Sequence, residues 1–573
     1  MPAPPRPGGP APRSPVLLLG AGLGEATCGI LYLASYLQRH GVEARVRLFD
    51  PDESPAELAR SLAALLGHLR PRLVGISLKW FHHLARARRM ARLVRSIDPE
   101  VEVVLGGNSA SLWWRELVAW DCVDRVVLGD GEAPLLALCR GEAAPPNVVS
   151  RATLSRAPLA YVQGAATDDV HYSHFEQLFL SQLDRDSFSG WVAPGKGCGE
   201  NCVYCGGTRG VQQASFGRAR SFLRPVESVR RDHLEVLPHT WQLRYDFDGS
   251  STDFLRQAWT GLDLSRHATT YFLWGVPSPG LAATLASTFQ RVFLVLDIGC
   301  FSQGQRQALM GRGLLKPCPT DAELMRVIDE CRRFPNLQLE LCGIAGLPFA
   351  SPATLAEERA LVERVLGLGC AVGYQRLEAQ PGALATEHPG RFGMVSEATT
   401  FDQFLQALEE REGDGTVPML RFADPALERA VQAATLALEA EVHRHAEARA
   451  AVAVDGGTRL VNGAAATREV ALGDWLGAYR VPARLAREPV TVVRSSDGRG
   501  LCLAPGVGPR SFADPALQQG ETGAALLAAL EAFRRPTAGD AAVARLRRAP
   551  GLDAGSAREL VEQLAAARFL VPG

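Results

Sequence analysis

The chain alternates short apolar runs with stretches whose apolar residues recur every three to four positions. VLLLG (16–20), VRLFD (46–50), LVGIS (73–77), VEVVLGG (101–107) and VDRVVLGDGE (123–132) read as buried strands, with helix-length segments such as ILYLASYLQRHG between them. That alternation predicts an α/β, Rossmann-like doubly wound parallel sheet over residues 15–150, whose ligand sits beyond the carboxyl ends of the strands. A second series covers residues 186–415, with WQLRYDFD (241–248), TTYFLWG (269–275), RVFLVLDIG (291–299), LQLELCGIAGLP (337–348) and VGYQRLEAQPG (372–382) as its strands. It predicts a (β/α)6 partial TIM barrel, with chemistry at the C-terminal strand ends.

The remaining segments follow from the same patterns. Residues 1–14 form a Pro-rich tail expected to be disordered, 151–185 a linker, and 416–485 a connector that begins helical (ALERAVQAATLALEAEVHRHAEARA). In residues 486–573, VTVVR and LCLAP read as a hairpin joined through Ser-Asp-Gly-Arg. Three helical stretches follow, ETGAALLAALEAF, GDAAVARLRR and SARELVEQLAAARFLV, with packing faces on Leu526, Leu527, Leu530 and Phe533, then Leu560, Val561, Leu564 and Phe569. A hairpin plus three helices predicts a small α+β, winged-helix-like domain.

Composition narrows the function classes. With 61 basic and 62 acidic residues the chain has no charge excess to draw it to nucleic acid or an anionic membrane. No apolar run reaches the roughly 18 residues of a membrane span, and the N-terminus lacks a signal-peptide core. The expectation is a cytoplasmic protein with reduced cysteines. GAGLGE (20–25) is not a dinucleotide fingerprint, because Glu25 stands where the third glycine belongs and Asp50 is a weak ribose partner.

The chemistry concentrates in 195-GKGCGENCVYCGG-207. Three of twelve cysteines, Cys198, Cys202 and Cys205, fall within eight positions of a glycine-flanked loop, at the head of the second series. Nine others stand singly in apolar stretches and read as small buried hydrophobes. Thiolates in this number suit a [4Fe–4S] cluster with one iron left open, since a fully protein-bound cluster uses four and no fourth cysteine lies nearby in sequence. Structural zinc would need a fourth ligand, for which His171 and His174 are the candidates. A disulfide with a spare thiol is the third reading.

The spacing Cys198-x-x-x-Cys202-x-x-Cys205, with Tyr204 before the last cysteine, resembles the cluster loop of the radical S-adenosylmethionine superfamily. The resemblance implies that the open iron chelates S-adenosylmethionine and that electron transfer then yields methionine and a 5′-deoxyadenosyl radical. Gly343-Ile344-Ala345-Gly346-Leu347-Pro348 resembles that family's fifth-strand turn, where backbone meets adenine. Asp297 and Arg312 occupy the places of its strand-end polar and basic groups, and Arg376, with Glu378, those of its sixth strand; Gly206 follows the last cysteine. The family's Gly-Gly-Glu after the second strand is absent, and YDFDGS puts Asp248 there as a candidate partner for the amino group.

Residues 15–145, with GGNSASLWWRELVAWDCVDRVVLGDGEAPLLALCRG at their end, resemble the cobalamin-binding domain fused ahead of many such enzymes. On that likeness Ser77, Trp80, Gly106, Gly107, Asn108, Gly129 and Glu132 are the cofactor-facing positions, with paired glycines giving a flat ligand close backbone approach. The Asp-x-His-x-x-Gly of cobalt-ligating relatives is missing, so Trp80 becomes the expected floor under the corrin. His82 and His83 are alternative ligands or plain helix-start residues. Arg86, Arg88, Arg89, Arg92 and Arg95 read as a solvated helix face.

Together the resemblances imply a cobalamin-dependent radical S-adenosylmethionine C-methyltransferase acting on an unactivated carbon in natural-product biosynthesis. One S-adenosylmethionine would donate the methyl group through cobalamin and a second would supply the radical. The substrate is a small molecule or a precursor peptide held by the C-terminal domain, and the electron donor a flavodoxin or ferredoxin. The alternative is a rearrangement or ring-forming enzyme of the same architecture. A cobalamin sensor with a DNA-binding tail is a non-enzymatic reading, against which the near-neutral charge counts.

Overall fold

The computed structural model describes residues 15–20, 27–49, 54–142, 145–156, 169–181, 185, 188, 190–240, 242–246, 251–411 and 416–452. Beyond these it describes 459–462, 466–471, 487, 489–494, 500–504, 507–511, 537–547, 553–566 and 570–572. The chain divides into two units, Met1–Leu180 with Ala478–Arg480, and Ser181–Gly477 with Val481–Gly573. The expected tail, the helix expected at 521–533, Phe569, Asp50 and Asp248 lie outside the described residues.

The first unit is built on strands β1 (Val16–Gly20), β2 (Ala44–Leu48), β3 (Leu73–Ser77), β4 (Glu102–Gly106), β5 (Arg125–Val127) and β6 (Val148–Ser150). Their order is β2-β1-β3-β4-β5-β6; the first five are parallel and β6 returns antiparallel to β5. All five side chains of β1 are buried, as a strand covered on both faces requires. Helices α1 (Thr27–Arg39), α2 (Pro55–Leu69), α3 (Leu84–Ile97), α4 (Asn108–Leu112) and α5 (Glu132–Cys139) connect them. Ser54 and Glu57 close a capping box at the start of α2, which buries Leu58, Leu62, Leu65 and Leu66. The end of the expected linker is part of this unit. Tyr172 stacks on Tyr32 of α1 at 4.1 Å between ring centroids, and Arg39 donates to His171 O at 2.7 Å and Ser173 Oγ at 3.1 Å.

The second unit carries a six-stranded sheet, β7 (Trp191–Val192), β8 (Gln242–Asp246), β9 (Ala268–Trp274), β10 (Arg291–Asp297), β11 (Leu337–Ala345) and β12 (Ala371–Arg376). It is parallel throughout and ordered as in sequence, an open partial barrel. Its helices include α6 (Arg209–Phe216), α7 (Val226–Val236), α8 (Gln303–Met310), α9 (Asp321–Cys331) and α10 (Pro352–Gly367). The stretch of the expected connector that reads as helical in the sequence is a 28-residue helix, α11 (Pro425–Val452), packed against α10 and the edge strand β12. Covering an open edge this way removes a pairing hazard.

At the C-terminal end, β13 (Arg459–Asn462) lies between β18 (Thr537–Ala538) and β19 (Leu570–Pro572), both antiparallel to it. A separate antiparallel sheet runs β14 (Ala466–Ala471), β15 (Pro489–Arg494), β16 (Gly500–Ala504) and β17 (Val507–Ser511). The hairpin read from the sequence is its middle pair, with Thr491 opposite Leu503. Helices α12 (Gly539–Leu546) and α13 (Ala554–Ala566) bury Leu546, Leu560, Val561 and Leu564.

One buried carboxyl makes the barrel wall pH-sensitive. Glu358 of α10 is 1% exposed, and burial pushes its carboxyl from the ordinary value near 4.5 up to about 7, against hydrogen bonds from Tyr374 and the Phe301 amide and the nearby Arg306 charge. Tyr374 Oη donates to Glu358 Oε2 at 2.9 Å. The folded chain therefore keeps a proton that the unfolded chain releases, so this group's favourable contribution is complete below pH 4.5 and is lost as pH rises through 7. The difference is worth about 3 kcal/mol. Glu358→Gln should match wild type near pH 4.5 and exceed it in stability at pH 8, read by hydrogen exchange of the α10 amides. An equal gap at both pH values would contradict the proton's location.

Candidate active site

The cysteine loop leaves β7 at the carboxyl edge of the sheet and is pinned from several sides. Gly195 and Lys196 pair antiparallel with Leu223 and Phe222, and Gly197 takes a φ of +85° where a Cβ would meet Arg220 O at 2.9 Å. Val203 N donates to Leu314 O at 2.8 Å, and Ala385 N donates to Val203 O at 2.9 Å. Gly206 N donates to Gln380 Oε1 at 3.0 Å, and a Cβ at Gly206 would stand 2.5 Å from Pro381 O. Gly206 is thus required for the loop to close on the exit of β12.

Each thiol accepts one backbone N–H: Cys198 Sγ from Glu200 at 3.4 Å, Cys202 Sγ from Lys316 at 3.3 Å and Cys205 Sγ from Gly207 at 3.2 Å. Such donors stabilise sulfur when it carries charge. Burial pushes Cys205 up to about 12 and also raises Cys202, where Lys316 opposes it. The metal-free Cys202 and Cys205 thiols are therefore protonated at neutral pH, and metal uptake must displace those protons. Tyr204 is buried beside them, its phenol held well above the usual range by burial and then by Asp297. Among the described residues no three His, Cys, Asp or Glu side chains close on a single-ion site. Three separately donated thiols on one loop suit a cluster, where each binds a different iron, better than a zinc ion.

Next to the loop stands a buried ion pair. Asp297, the last residue of β10, accepts from Gly299 N at 2.8 Å on Oδ1 and from Lys316 Nζ at 2.6 Å on Oδ2. Lys316 is 5% exposed; burial, the largest influence, opposes its charge, but the charge and hydrogen bond of Asp297 together with Cys202 and Cys318 hold the ammonium above its ordinary range. At Cys202 the Lys316 charge acts more strongly than that of Asp297. Cys318, also buried, feels Cys202, Lys316 and Asp297, and burial pushes it up to about 12. A fourth thiol thus lies close in space that the sequence spacing did not reveal.

Other expected positions behave differently. Arg312 is exposed, with its guanidinium 4.6 Å from the Phe349 ring centroid, and the cation bonded to Asp297 is Lys316. Arg376, ending β12, bonds Glu428 Oε1 of α11 at 2.8 Å, while Glu428 Oε2 accepts from Phe422 N. Glu378 makes a bridge to Met419. Gly343 is required by protein packing, since a Cβ would lie 2.6 Å from the Phe301 ring, and Gly346 (φ +78°) would meet Val431 at 3.3 Å.

In the first unit, Ser77, the last residue of β3, and Trp80, just beyond it, are half-buried, with the Lys79 ammonium 5.7 Å from the Trp80 ring centroid. Gly107 adopts a φ of +116° and a Cβ there would stand 2.6 Å from Leu78 O, so this glycine serves the packing of two strand exits. Gly106 meets nothing closer than 3.8 Å. Asn108 opens α4, from which Ser111 Oγ accepts Gly129 N at 2.8 Å, and Glu132, opening α5, is buried. His82 is exposed, whereas burial pushes His83 down to about 4 and its Nδ1 has no hydrogen-bond partner. Of the Arg side chains on α3, Arg92 is exposed, Arg95 pairs with Asp124 and Arg88 lies over Trp120. Residues 21–26 of the first turn lie outside the described residues.

Comparison with known proteins separates the two units. Residues 16–139 match the family described as B12 binding domain. The first unit contains a B12-binding domain. Over 74% of its length the chain also shares the fold of TsrM from Kitasatospora setae, a radical S-adenosylmethionine methyltransferase solved with cobalamin and a [4Fe-4S] cluster, at 16% identity, TM-score 0.54 and 91% coverage of that chain. TsrM solved with tryptophan substrate and the analogue aza-SAM matches at 17% identity and TM-score 0.53, with 74% of this chain and 89% of that one covered. No curated protein sequence matches the chain. Among the described residues no helix is long and apolar enough to cross a membrane.

Proposed function

We propose that the protein is a cobalamin-dependent radical S-adenosylmethionine C-methyltransferase acting on an unactivated carbon of a small molecule or peptide in natural-product biosynthesis. The observation that carries this reading is a three-thiol loop at the carboxyl edge of a six-strand parallel sheet, in a chain that also contains a B12-binding domain. When bound, the cluster and cobalamin supply reductive cleavage of S-adenosylmethionine and methyl carriage.

The chain's own residues bind, orient and exclude water. Cys198, Cys202 and Cys205 hold the cluster, with the Glu200, Lys316 and Gly207 amides donating to their sulfurs. Buried Tyr204 keeps solvent from that loop. Asp297 offers a carboxylate, fixed by Lys316, at a strand end where a ribose or amino group can be met. Arg376, steadied by Glu428, offers a cation at the neighbouring strand end. The carboxyl edge of the first sheet, rimmed by Ser77, Trp80, Asn108 and Gly129, suits a broad flat cofactor without demanding a cobalt ligand.

Because TsrM is solved with tryptophan, amino acids and short peptides are the first substrates to try. Anaerobic incubation with methyl-labelled S-adenosylmethionine, cobalamin and a reductant should give labelled product with one S-adenosylhomocysteine and one 5′-deoxyadenosine per turnover. A rearrangement enzyme would form product with little S-adenosylhomocysteine, and that result would replace the methylation reading.

A further inference from the structure

We propose that Lys316 sets the reduction potential of the cluster held by Cys198, Cys202 and Cys205, with Asp297 as its counterweight; the inference rests on the cluster assignment above. Lys316 lies far from the cysteine loop in sequence, yet its backbone N–H reaches a loop sulfur, Cys202 Sγ at 3.3 Å. The same segment is zipped to the loop by the Val203 N to Leu314 O bond at 2.8 Å, so the lysine cannot drift from its sulfur without opening that contact. From this anchored backbone the side chain runs to Asp297, where Nζ lies 2.6 Å from Oδ2, with side-chain exposures of 6% and 19%. A buried cation thus springs from the backbone that touches one cluster ligand, and a fixed anion is bonded to its tip.

Reduction by one electron from an added reductant makes the cluster more negative by one charge. Cluster potential follows net local charge, hydrogen bonds to sulfur and solvent exposure. In a poorly hydrated site a nearby ammonium favours the reduced form and a carboxylate opposes it. A merely structural ion pair would act on folding alone. A pair that tunes the cluster must shift the potential in opposite directions when its two members are removed one at a time.

The test uses full-length protein reconstituted with iron and sulfide, titrated with a reductant and read by paramagnetic resonance, without S-adenosylmethionine or cobalamin. Lys316→Met keeps the backbone N–H to Cys202 and removes only the charge. It should lower the reduced-to-oxidised ratio at a given potential by about tenfold, a shift of about 59 mV for one electron. Asp297→Asn should raise the ratio, Lys316→Arg should stay near wild type, and the double variant Lys316→Met/Asp297→Asn should return toward it. Because that double variant leaves no unpaired buried charge, it keeps the test open if Lys316→Met folds poorly. Shifts of the same sign in both single variants, or no shift in either, would overturn the inference while leaving the cluster assignment intact. Failure of the wild-type chain to take up iron would remove the assignment itself, and the inference with it.

Discussion

Replacing Cys198, Cys202 and Cys205 together by alanine abolishes iron uptake and S-adenosylmethionine cleavage, while cobalamin binding by the first unit stays within about twofold of wild type, because all three substitutions fall in the second unit. The three sulfurs are the thiolates that the loop offers to iron, and each accepts a backbone N–H. Removing them leaves the Glu200, Lys316 and Gly207 amides without acceptors. The first sits beside half-exposed Cys198, where water can replace the sulfur, so the loop should survive there. Cys202 is buried, and the Lys316 amide facing it has no such recourse. Cys202→Ala alone should therefore cost more stability than Cys198→Ala, although either loses the cluster. Iron and sulfide analysis, paramagnetic resonance and a cobalamin titration followed by absorbance check all three statements. Stoichiometric zinc in the wild-type protein, with no iron uptake, would end the cluster assignment.

What the sequence could disclose depended on how far apart the partners lie along the chain. The cysteine loop was legible because its three ligands fall within eight positions and flanking glycines mark the turn. The first sheet was legible because parallel strands covered on two faces are apolar runs, and the second because its strands recur between helix-length segments. The partners of the loop were not. Lys316 is 114 residues from Cys202 and Gln380 is 174 from Gly206, and no local pattern pairs residues across such gaps. A faint signal did exist for Lys316: it stands in LLKPC, a lone charge among apolar and proline neighbours, the composition of a buried, paired group. Arg312, in the sequence MGRG, has glycines on both sides and proved exposed. Some of the glycines expected to face a cofactor are also crowded by protein neighbours. At Gly107, Gly206 and Gly343 the obstacle is this chain's own Leu78, Pro381 and Phe301. Strands of two or three residues, such as β7, β6 and β18, carry too few positions for any periodicity to register.

The largest expected loss of stability falls on a pair that touches no cofactor. Arg224 and Asp232 are bridged at 2.6 Å with side-chain exposures of 1% and 0%. Arg224 Nη1 also donates to Ala193 O at 2.8 Å, and the Arg224 backbone N to Pro194 O at 2.8 Å. Ala193 and Pro194 are the two residues that lead from β7 into the cysteine loop, so this guanidinium clamps the loop's base to α7. The next residue, His233, is equally buried, and burial holds it neutral, down to about 4, while Nδ1 meets Val229 O and Nε2 meets Tyr245 Oη, both at 2.7 Å. It cannot take over the missing negative charge. Asp232→Ala leaves Arg224 as a buried cation without its counter-ion, a change that costs about 3–5 kcal/mol. Hydrogen exchange at Gly195–Gly197 should rise, and reconstituted cluster should be lost faster than in wild type. Exchanging both partners for apolar residues, Arg224→Met with Asp232→Leu, should recover most of the stability, because no charge is then buried. It should not recover cluster retention, since methionine offers no donor to Ala193 O. Recovery of both properties in that double variant would mean that the pair contributes packing alone, and that the loop base is held by its strand ladder.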